Sequence, residues 1–195
     1  DLMRLARSAR KRGLWLIIDE SFADYCSDRS VLRRAVSWPH VVVLRSMTKF
    51  YALPGLRVGY AVSAQTTIRR IQRQLPPWSV GTMGQVAALA ALNDEAHART
   101  SLTFMTQERE RFRRKLAALP GCAVMPTYAN YCLVELPRAH PARDITERLR
   151  RKGVLIRDCS SVPGANSRSV RLAVRMRSEN DRLLRELSHL LLLTN

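Results

Sequence analysis

The chain has 195 residues, of which 46% are hydrophobic and 25% charged, a composition typical of a globular protein with a buried core. It excludes a disordered or fibrous chain. The formal net charge is +17, but only 4 of the 33 basic residues are lysines, and the arginines are spread along the whole sequence. Because no zinc-finger spacing or RNP-like aromatic strand accompanies this charge, we predict no nucleic-acid partner.

The first half of the sequence predicts helices that alternate with buried strands. The segment LMRLARSARKRG is amphipathic and predicts a helix that ends at Gly13. Three apolar strands follow, LWLIIDE (14–20), HVVVLRSM (40–47) and RVGYAVS (57–63), with a helical turn near 30–35. Continuously apolar strands predict a sheet that is covered on both faces, as in α/β proteins.

The pattern changes after PPWSVG (76–81). Two helices are predicted at about 82–93 and 95–118, followed by strands GCAVM and NYCLVEL, a helix at about 141–152 that ends at Gly153, strands VLIRD and SVRLAVR, and a last helix from 179. A capping-box pattern begins at Ser178, and four leucines share one face of the last helix: Leu183, Leu184, Leu187 and Leu191. We place a boundary near 85–95 and predict two domains, 1–90 and 91–195.

The cysteines and the apolar segments point to an ordinary intracellular protein. The four cysteines form no C-x-x-C pair and have no histidine at a zinc-binding spacing, so we predict no metal site. No apolar run approaches the roughly 20 residues that cross a bilayer, and no signal peptide opens the sequence. We therefore expect a cytoplasmic protein with no membrane partner and with reduced thiols.

Polar residues follow two of the predicted strands. Asp19 ends the first, where ligands bind in α/β sheets, although an aspartate at this place is as often a turn or a helix cap. Ser46, Thr48 and Arg57 surround Lys49 in RSMTKFYALPGLRVGY; two hydroxyls and a guanidinium can hold a phosphate dianion. A desolvated lysine beside other cations is a nucleophile that can form a Schiff base, whereas an isolated lysine in a turn is more often a surface residue. Both groups are expected at the same edge of the sheet.

Five segments, in this order, resemble a known family: DESFADY, RSMTKFYALPGLRVGY, PPWSV, ANYCLVEL and LIRDCSSVPG…VRLAVR. They are similar to fold-type I pyridoxal-phosphate enzymes, in the branch of the histidinol-phosphate aminotransferases and threonine-phosphate decarboxylases. The resemblance spans essentially the whole chain, which looks like the C-terminal part of such an enzyme. It implies an α/β fold: part of a three-layer, mostly parallel large domain over 1–90 and a small α+β domain over 91–195.

The resemblance also implies a cofactor, pyridoxal 5'-phosphate, and the residues that bind it. Lys49 would hold it as a Schiff base, with Ser46, Thr48 and Arg57 on its phosphate. Asp19 would pair with the protonated pyridine nitrogen, because a cationic ring is the better electron sink.

Three further residues are implied to bind the substrate. Arg171, in VRLAVR, matches the arginine that receives the substrate carboxylate, and Arg157 matches one that lies at the substrate phosphate. Asn130, in ANYCLVEL, is the third. For Arg157, a solvated arginine at a strand end is the alternative.

Departures from the aminotransferase pattern favour one reaction. Phe22 stands where these aminotransferases usually have a tyrosine that meets the cofactor, and the decarboxylases accept phenylalanine there. LIRDCSSVPG and VRLAVR also resemble the decarboxylases, whereas Gly81 stands where they usually have asparagine, which leaves one contact of the cofactor loop in doubt. The resemblance thus implies decarboxylation of L-threonine O-3-phosphate to (R)-1-amino-2-propanol O-2-phosphate in cobalamin biosynthesis.

Two alternatives stay open: a histidinol-phosphate-type aminotransferase, and a non-catalytic basic interaction protein on a decayed enzyme fold. The joint presence of Asp19, Lys49, Arg57 and Arg171 argues against decay. We expect the full-length enzyme to be a homodimer that acts on a small phosphorylated amino acid. The 195 residues alone are expected to be inactive and to leave an unpaired sheet edge and an uncovered apolar face.

Overall fold

The computed structural model describes residues 2–192, which form two compact units. The first unit ends at Arg99 and the second begins at Thr100, so the division lies within the helix Glu95–Ala117. The structural division is thus nine residues after the predicted boundary at residue 90. No helix in the described range is long and apolar enough to cross a membrane.

The first unit combines short helices with a small sheet. Its elements are α1 (Leu2–Lys11), β1 (Leu16–Asp19), a 3-10 segment (Ala23–Arg29), α2 (Leu32–Ala35), β2 (Val41–Ser46), a 3-10 turn (Pro54–Leu56), β3 (Gly59–Val62), α3 (Gln65–Gln72), α4 (Thr82–Asn93) and the start of α5 (Glu95–Ala117). Gly13 ends α1 as predicted: its φ is +66°, and the N–H of Leu14 reaches back to the Ala9 carbonyl at 2.9 Å. The sequence patterns did not predict α3.

The sheet of the first unit has the order β1-β2-β3. β1 and β2 are parallel, from Leu16 opposite Val41 to Asp19 opposite Leu44, so their carboxyl ends lie at the same edge. β3 runs antiparallel to β2, so the sheet of this unit is mixed. The connection after β2 explains this direction, because it contains only a 3-10 turn. A parallel neighbour would require a crossover connection, usually a helix.

The two faces of this sheet differ. On one face, α1 and α2 cover a cluster of small and branched side chains: Ala6, Val31, Ala35, Val41 and Val43. The opposite face leaves Ile17 65% exposed and Trp15 52% exposed, with α3 lying along part of it. Within residues 2–192, helices therefore cover one face of the sheet and only part of the other, so the predicted cover on both faces is incomplete.

The second unit is an antiparallel sheet packed against helices. It contains the rest of α5, then β4 (Ala123–Val124), β5 (Tyr131–Glu135), α6 (Ala142–Arg151), β6 (Arg157–Asp158), β7 (Ser169–Ala173) and α7 (Arg177–Leu192). The strand order is β4-β5-β7-β6, with every neighbour antiparallel. Gly153 ends α6 at φ +71°, as predicted, whereas GCAVM and VLIRD form strands of only two residues.

Helix α7 packs its predicted leucine face into the core, where Leu183, Leu184, Leu187 and Leu191 are all buried. The capping box predicted at Ser178 is wrong, because the helix begins one residue earlier, at Arg177. Two residues of its first turn bind the chain just before the helix: Glu179 Oε2 accepts the Met176 N–H at 3.2 Å, and Asn180 Oδ1 accepts the Arg175 N–H at 3.0 Å.

Candidate active site

Asp19 stands at the carboxyl end of β1, with its side chain on the uncovered face of the sheet. Its Oδ1 accepts two hydrogen bonds from Ser21, one from the backbone N–H at 2.9 Å and one from the hydroxyl at 2.5 Å. These bonds, and then the positive charge of Lys49, hold the pKa of the Asp19 carboxyl below its usual value. The group is therefore an anion at neutral pH that lies close to Lys49.

The loop after β2 gathers Ser46, Thr48 and Lys49. The hydroxyls of Ser46 and Thr48 are 2.8 Å apart, and the Lys49 ammonium donates to the Ser46 hydroxyl at 3.4 Å. The same ammonium lies 5.2 Å from the centre of the Phe22 ring, over its face. The structure thus brings together four of the residues predicted for the cofactor, and the parallel pairing of β1 and β2 places Asp19 at the same edge.

Arg57 lies in the same loop with its guanidinium exposed and donating to the Pro54 carbonyl at 3.2 Å. Its backbone is left-handed, at φ 50°, as is that of Ala52 at φ 53°. Within residues 2–192 only one other non-glycine residue, Trp78, has a positive φ. Non-glycine residues in this region carry strain that is concentrated at ligand-binding loops, so the backbone points to a binding role for this loop.

A buried charged cluster that the sequence patterns did not reveal lies on the covered face of the sheet. The Arg45 guanidinium donates to Glu20 Oε2 at 3.1 Å, to Asp24 Oδ1 at 2.6 Å and to the Ser30 hydroxyl at 2.9 Å. Burial raises the pKa of Asp24 despite the neighbouring arginine, and burial together with the Asp24 charge raises the pKa of Tyr51 to about 12. The sequence offered one signal for this cluster: charged residues at inward-facing positions of apolar strands.

In the second unit, Arg157 and Arg171 are direct partners across the antiparallel pair β6 and β7. Both side chains are exposed, and the Arg171 guanidinium lies 5.2 Å from the centre of the Tyr131 ring. Two like charges at directly opposite positions repel each other, so this pairing is unfavourable without an anion. Asn130 precedes Tyr131, and its backbone carbonyl accepts the Val174 N–H at 2.8 Å.

The predicted substrate residues are thus grouped around β7, in a different unit from Lys49. Gly81, the departure noted in PPWSVG, directly precedes α4 as its N-cap residue and supplies no side-chain oxygen there.

The family model for class I and II aminotransferases matches residues 1–187. The chain belongs to this family. Among solved structures, it is similar to a histidinol-phosphate aminotransferase from Clostridium acetobutylicum, with a TM-score of 0.91 and 26% identity, over 96% of this chain and 57% of that one. The α/β fold of a fold-type I transferase, predicted from the sequence, is therefore confirmed.

This chain is also similar to two further proteins. A threonine-phosphate decarboxylase from Salmonella typhimurium is 38% identical over 192 residues, 97% of this chain and 52% of the relative. The crystal structure of a histidinol-phosphate aminotransferase from Sinorhizobium meliloti, in complex with pyridoxal-5'-phosphate, has a TM-score of 0.85 at 25% identity, over 99% of this chain and 53% of that one. The chain spans about half the length of the curated relatives that it matches.

Proposed function

We propose that this chain is part of a pyridoxal-phosphate-dependent enzyme whose cofactor is held by the first unit. The side chains present fit the group. The anionic Asp19 suits a protonated ring nitrogen, the hydroxyls of Ser46 and Thr48 with the Arg57 cation suit a phosphate dianion, and the Lys49 amine suits an aldehyde. When bound, pyridoxal phosphate supplies an electron sink for charge that develops at the Cα of an amino acid.

In this proposal Phe22 offers the cofactor an apolar ring and no hydroxyl. The structure has the Lys49 ammonium over that ring at 5.2 Å, so residue 22 belongs to the surroundings of the reactive amine. A tyrosine at this position would add a hydrogen-bond donor, and its absence distinguishes this chain from the aminotransferase pattern.

The observation that carries the proposed substrate class is the pairing of Arg157 with Arg171. A strand pair that holds two guanidinium groups opposite each other becomes favourable when a ligand brings two anionic groups to them. L-Threonine O-3-phosphate has a carboxylate and a phosphate. We assign the carboxylate to Arg171, the phosphate to Arg157 and a substrate contact to Asn130.

The proposed reaction is the decarboxylation of L-threonine O-3-phosphate. The bond between Cα and the carboxylate carbon breaks, carbon dioxide leaves, and a proton takes its place at Cα to give 1-amino-2-propanol O-2-phosphate, a building block of the cobalamin side chain. The similarity to the Salmonella decarboxylase and the phenylalanine at position 22 support this reaction. In the full-length enzyme, residues 1–90 would belong to the cofactor-binding domain and 91–195 to the small domain of a cytoplasmic homodimer.

Amino-group transfer from histidinol phosphate is the second candidate, because the chain has a TM-score of 0.91 to a histidinol-phosphate aminotransferase. One experiment separates the two. The full-length enzyme is supplied with pyridoxal phosphate, and carbon dioxide release from L-threonine O-3-phosphate is compared with amino exchange between histidinol phosphate and 2-oxoglutarate. Faster carbon dioxide release supports the decarboxylase, faster exchange supports the aminotransferase, and no change in the absorbance of pyridoxal phosphate would contradict both.

A further inference from the structure

The buried cluster around Arg45 has no part in the proposed function so far, although it lies directly behind the site. The side chains of Arg45 and Glu20 are only 5% and 6% exposed. Asp24 and Ser30 complete the cluster, and Glu20 also accepts the Val31 N–H at 2.8 Å and the Ser30 hydroxyl at 2.6 Å. One guanidinium therefore joins the end of β1, the 3-10 segment and the end of β2.

Members of the cluster are chain neighbours of residues assigned to the cofactor. Glu20 follows Asp19, and Arg45 precedes Ser46; in each pair, one side chain is on the covered face and the other points away from it. The Glu20 N–H extends the parallel ladder to the Leu44 carbonyl at 2.9 Å, which keeps the two strand ends in register. A shift of Arg45 relative to Glu20 would therefore shift Ser46 relative to Asp19.

Stability alone does not account for such a cluster. Buried ion pairs are often no more stabilising than apolar side chains of the same volume, because both charges lose their hydration. The planar guanidinium group of an arginine, bonded to several fixed partners, defines the relative placement of the segments that it joins. A lysine cannot reproduce that geometry. The particular contribution of Arg45 is thus the geometry of three segments.

We propose that Arg45 is a positioning residue for the cofactor site, which it orders through Glu20 and Asp24 without touching the ligand. This inference rests on the proposed function, since the ligand in question is pyridoxal phosphate. Asp19, Phe22 and Ser46 are the side chains that the cluster holds in place.

The test compares Arg45→Met and Arg45→Lys with a matched control, Arg111→Met. Arg111 lies in the second unit and is also a carboxylate-paired, mostly buried arginine, with Glu108 at 2.6 Å and Asp181 at 2.8 Å. Arg45→Lys keeps a cation beside the two acids, so it remains informative where Arg45→Met does not fold. The measurements are the urea midpoint, the Kd for pyridoxal phosphate and borohydride-trapped label on Lys49. Hydrogen exchange of residues 20–31 and 46–53 is followed without ligand.

We expect both Arg45 variants to weaken pyridoxal phosphate binding by on the order of tenfold or more and to speed exchange in those two segments. Arg111→Met is expected to lower the urea midpoint and leave the Kd unchanged. Equal Kd values in the Arg45 and Arg111 variants would overturn the inference. All of these measurements use the full-length enzyme. If the unsubstituted enzyme binds no pyridoxal phosphate, the proposed function fails, and hydrogen exchange alone tests Arg45: unchanged protection of residues 46–53 in Arg45→Lys would refute the positioning role.

Discussion

Replacement of Arg157 by glutamine should have two effects of opposite sign. Without ligand, the change removes one of two like charges at directly opposite positions of β6 and β7, so the free energy of unfolding should rise. With a phosphorylated substrate, the same change removes a charge-assisted contact, so binding should weaken. A solvated strand-end arginine at this register predicts the first effect but not the second.

The structure gives the scale of each effect. Cross-strand charge pairs contribute about 0.2–1 kcal/mol, and the exposure of both arginines places the gain at the lower end of that range at physiological salt. A hydrogen bond to a charged group contributes about 1.5–3 kcal/mol, which corresponds to roughly a 10- to 150-fold rise in the apparent KM for L-threonine O-3-phosphate. The loss of affinity therefore exceeds the gain in stability.

Urea unfolding at low salt and initial-rate kinetics measure the two effects in one preparation of the full-length enzyme. Arg150→Gln is the control: it removes the same charge from the second unit, at a side chain that is 65% exposed and paired with Glu147 on the surface of α6. This control should leave the KM unchanged. An unchanged KM in Arg157→Gln would refute the assignment of Arg157 to the substrate phosphate, and a fall in its stability without ligand would refute the repulsion between Arg157 and Arg171.

Three further outcomes are expected. Borohydride reduction in the presence of pyridoxal phosphate should label Lys49. A label that peptide mapping finds on Lys11, Lys115 or Lys152 would contradict the role of Lys49. The bonds from Arg111 hold the pKa of Glu108 below its usual value of 4.5. The contribution of Glu108 to stability is therefore present above pH 4.5 and is lost as the pH falls through the lower folded-state pKa. Glu108→Gln should reduce this loss of stability at acid pH, as measured by urea titrations. Burial raises the pKa of Cys122 and Cys132 to about 11, so both thiols should react with iodoacetamide at pH 8 only after unfolding, which mass spectrometry can follow.

Much of the architecture could be predicted from hydrophobic patterns and from glycine. The amphipathic pattern of α1 and of the leucine face of α7 predicted both helices, because apolar residues that recur at helical spacing form one stripe that can be buried. Gly13 and Gly153 marked two helix ends because they supply the left-handed backbone that such ends use.

What the sequence did not predict has physical causes as well. The direction of β3 depends on what the preceding connection contains, and the side chains of LPGL do not reveal that it is only a 3-10 turn. In QTTIRRIQ the apolar stripe is reduced to Ile68 and Ile71, so α3 escaped prediction. Ser178 has the residue type of a helix cap, but it lies inside the helix, which begins at Arg177.

The candidate site also combines features that the sequence could predict with features that it could not. Lys49, Ser46 and Thr48 are close in sequence, so their proximity could be predicted, and the parallel pairing of two strands accounts for Asp19. Arg157 and Arg171 are direct partners because of a strand register that the two separate segments do not reveal. Prediction of the Arg45 cluster would have required knowing which strand positions face the helices.

The alternation of adjacent residues at the ends of β1 and β2 limits how this segment can evolve. Asp19 and Glu20 differ by one methylene, yet one is exposed at the site and the other is enclosed with a guanidinium. Loss or gain of a single residue within β1 would exchange the environments of Asp19 and Glu20, and the same change within β2 would exchange those of Arg45 and Ser46. Substitutions can therefore accumulate along these strands, whereas length changes cannot. Insertions and deletions among related sequences should be confined to connections such as residues 160–168, which contain no helix or strand.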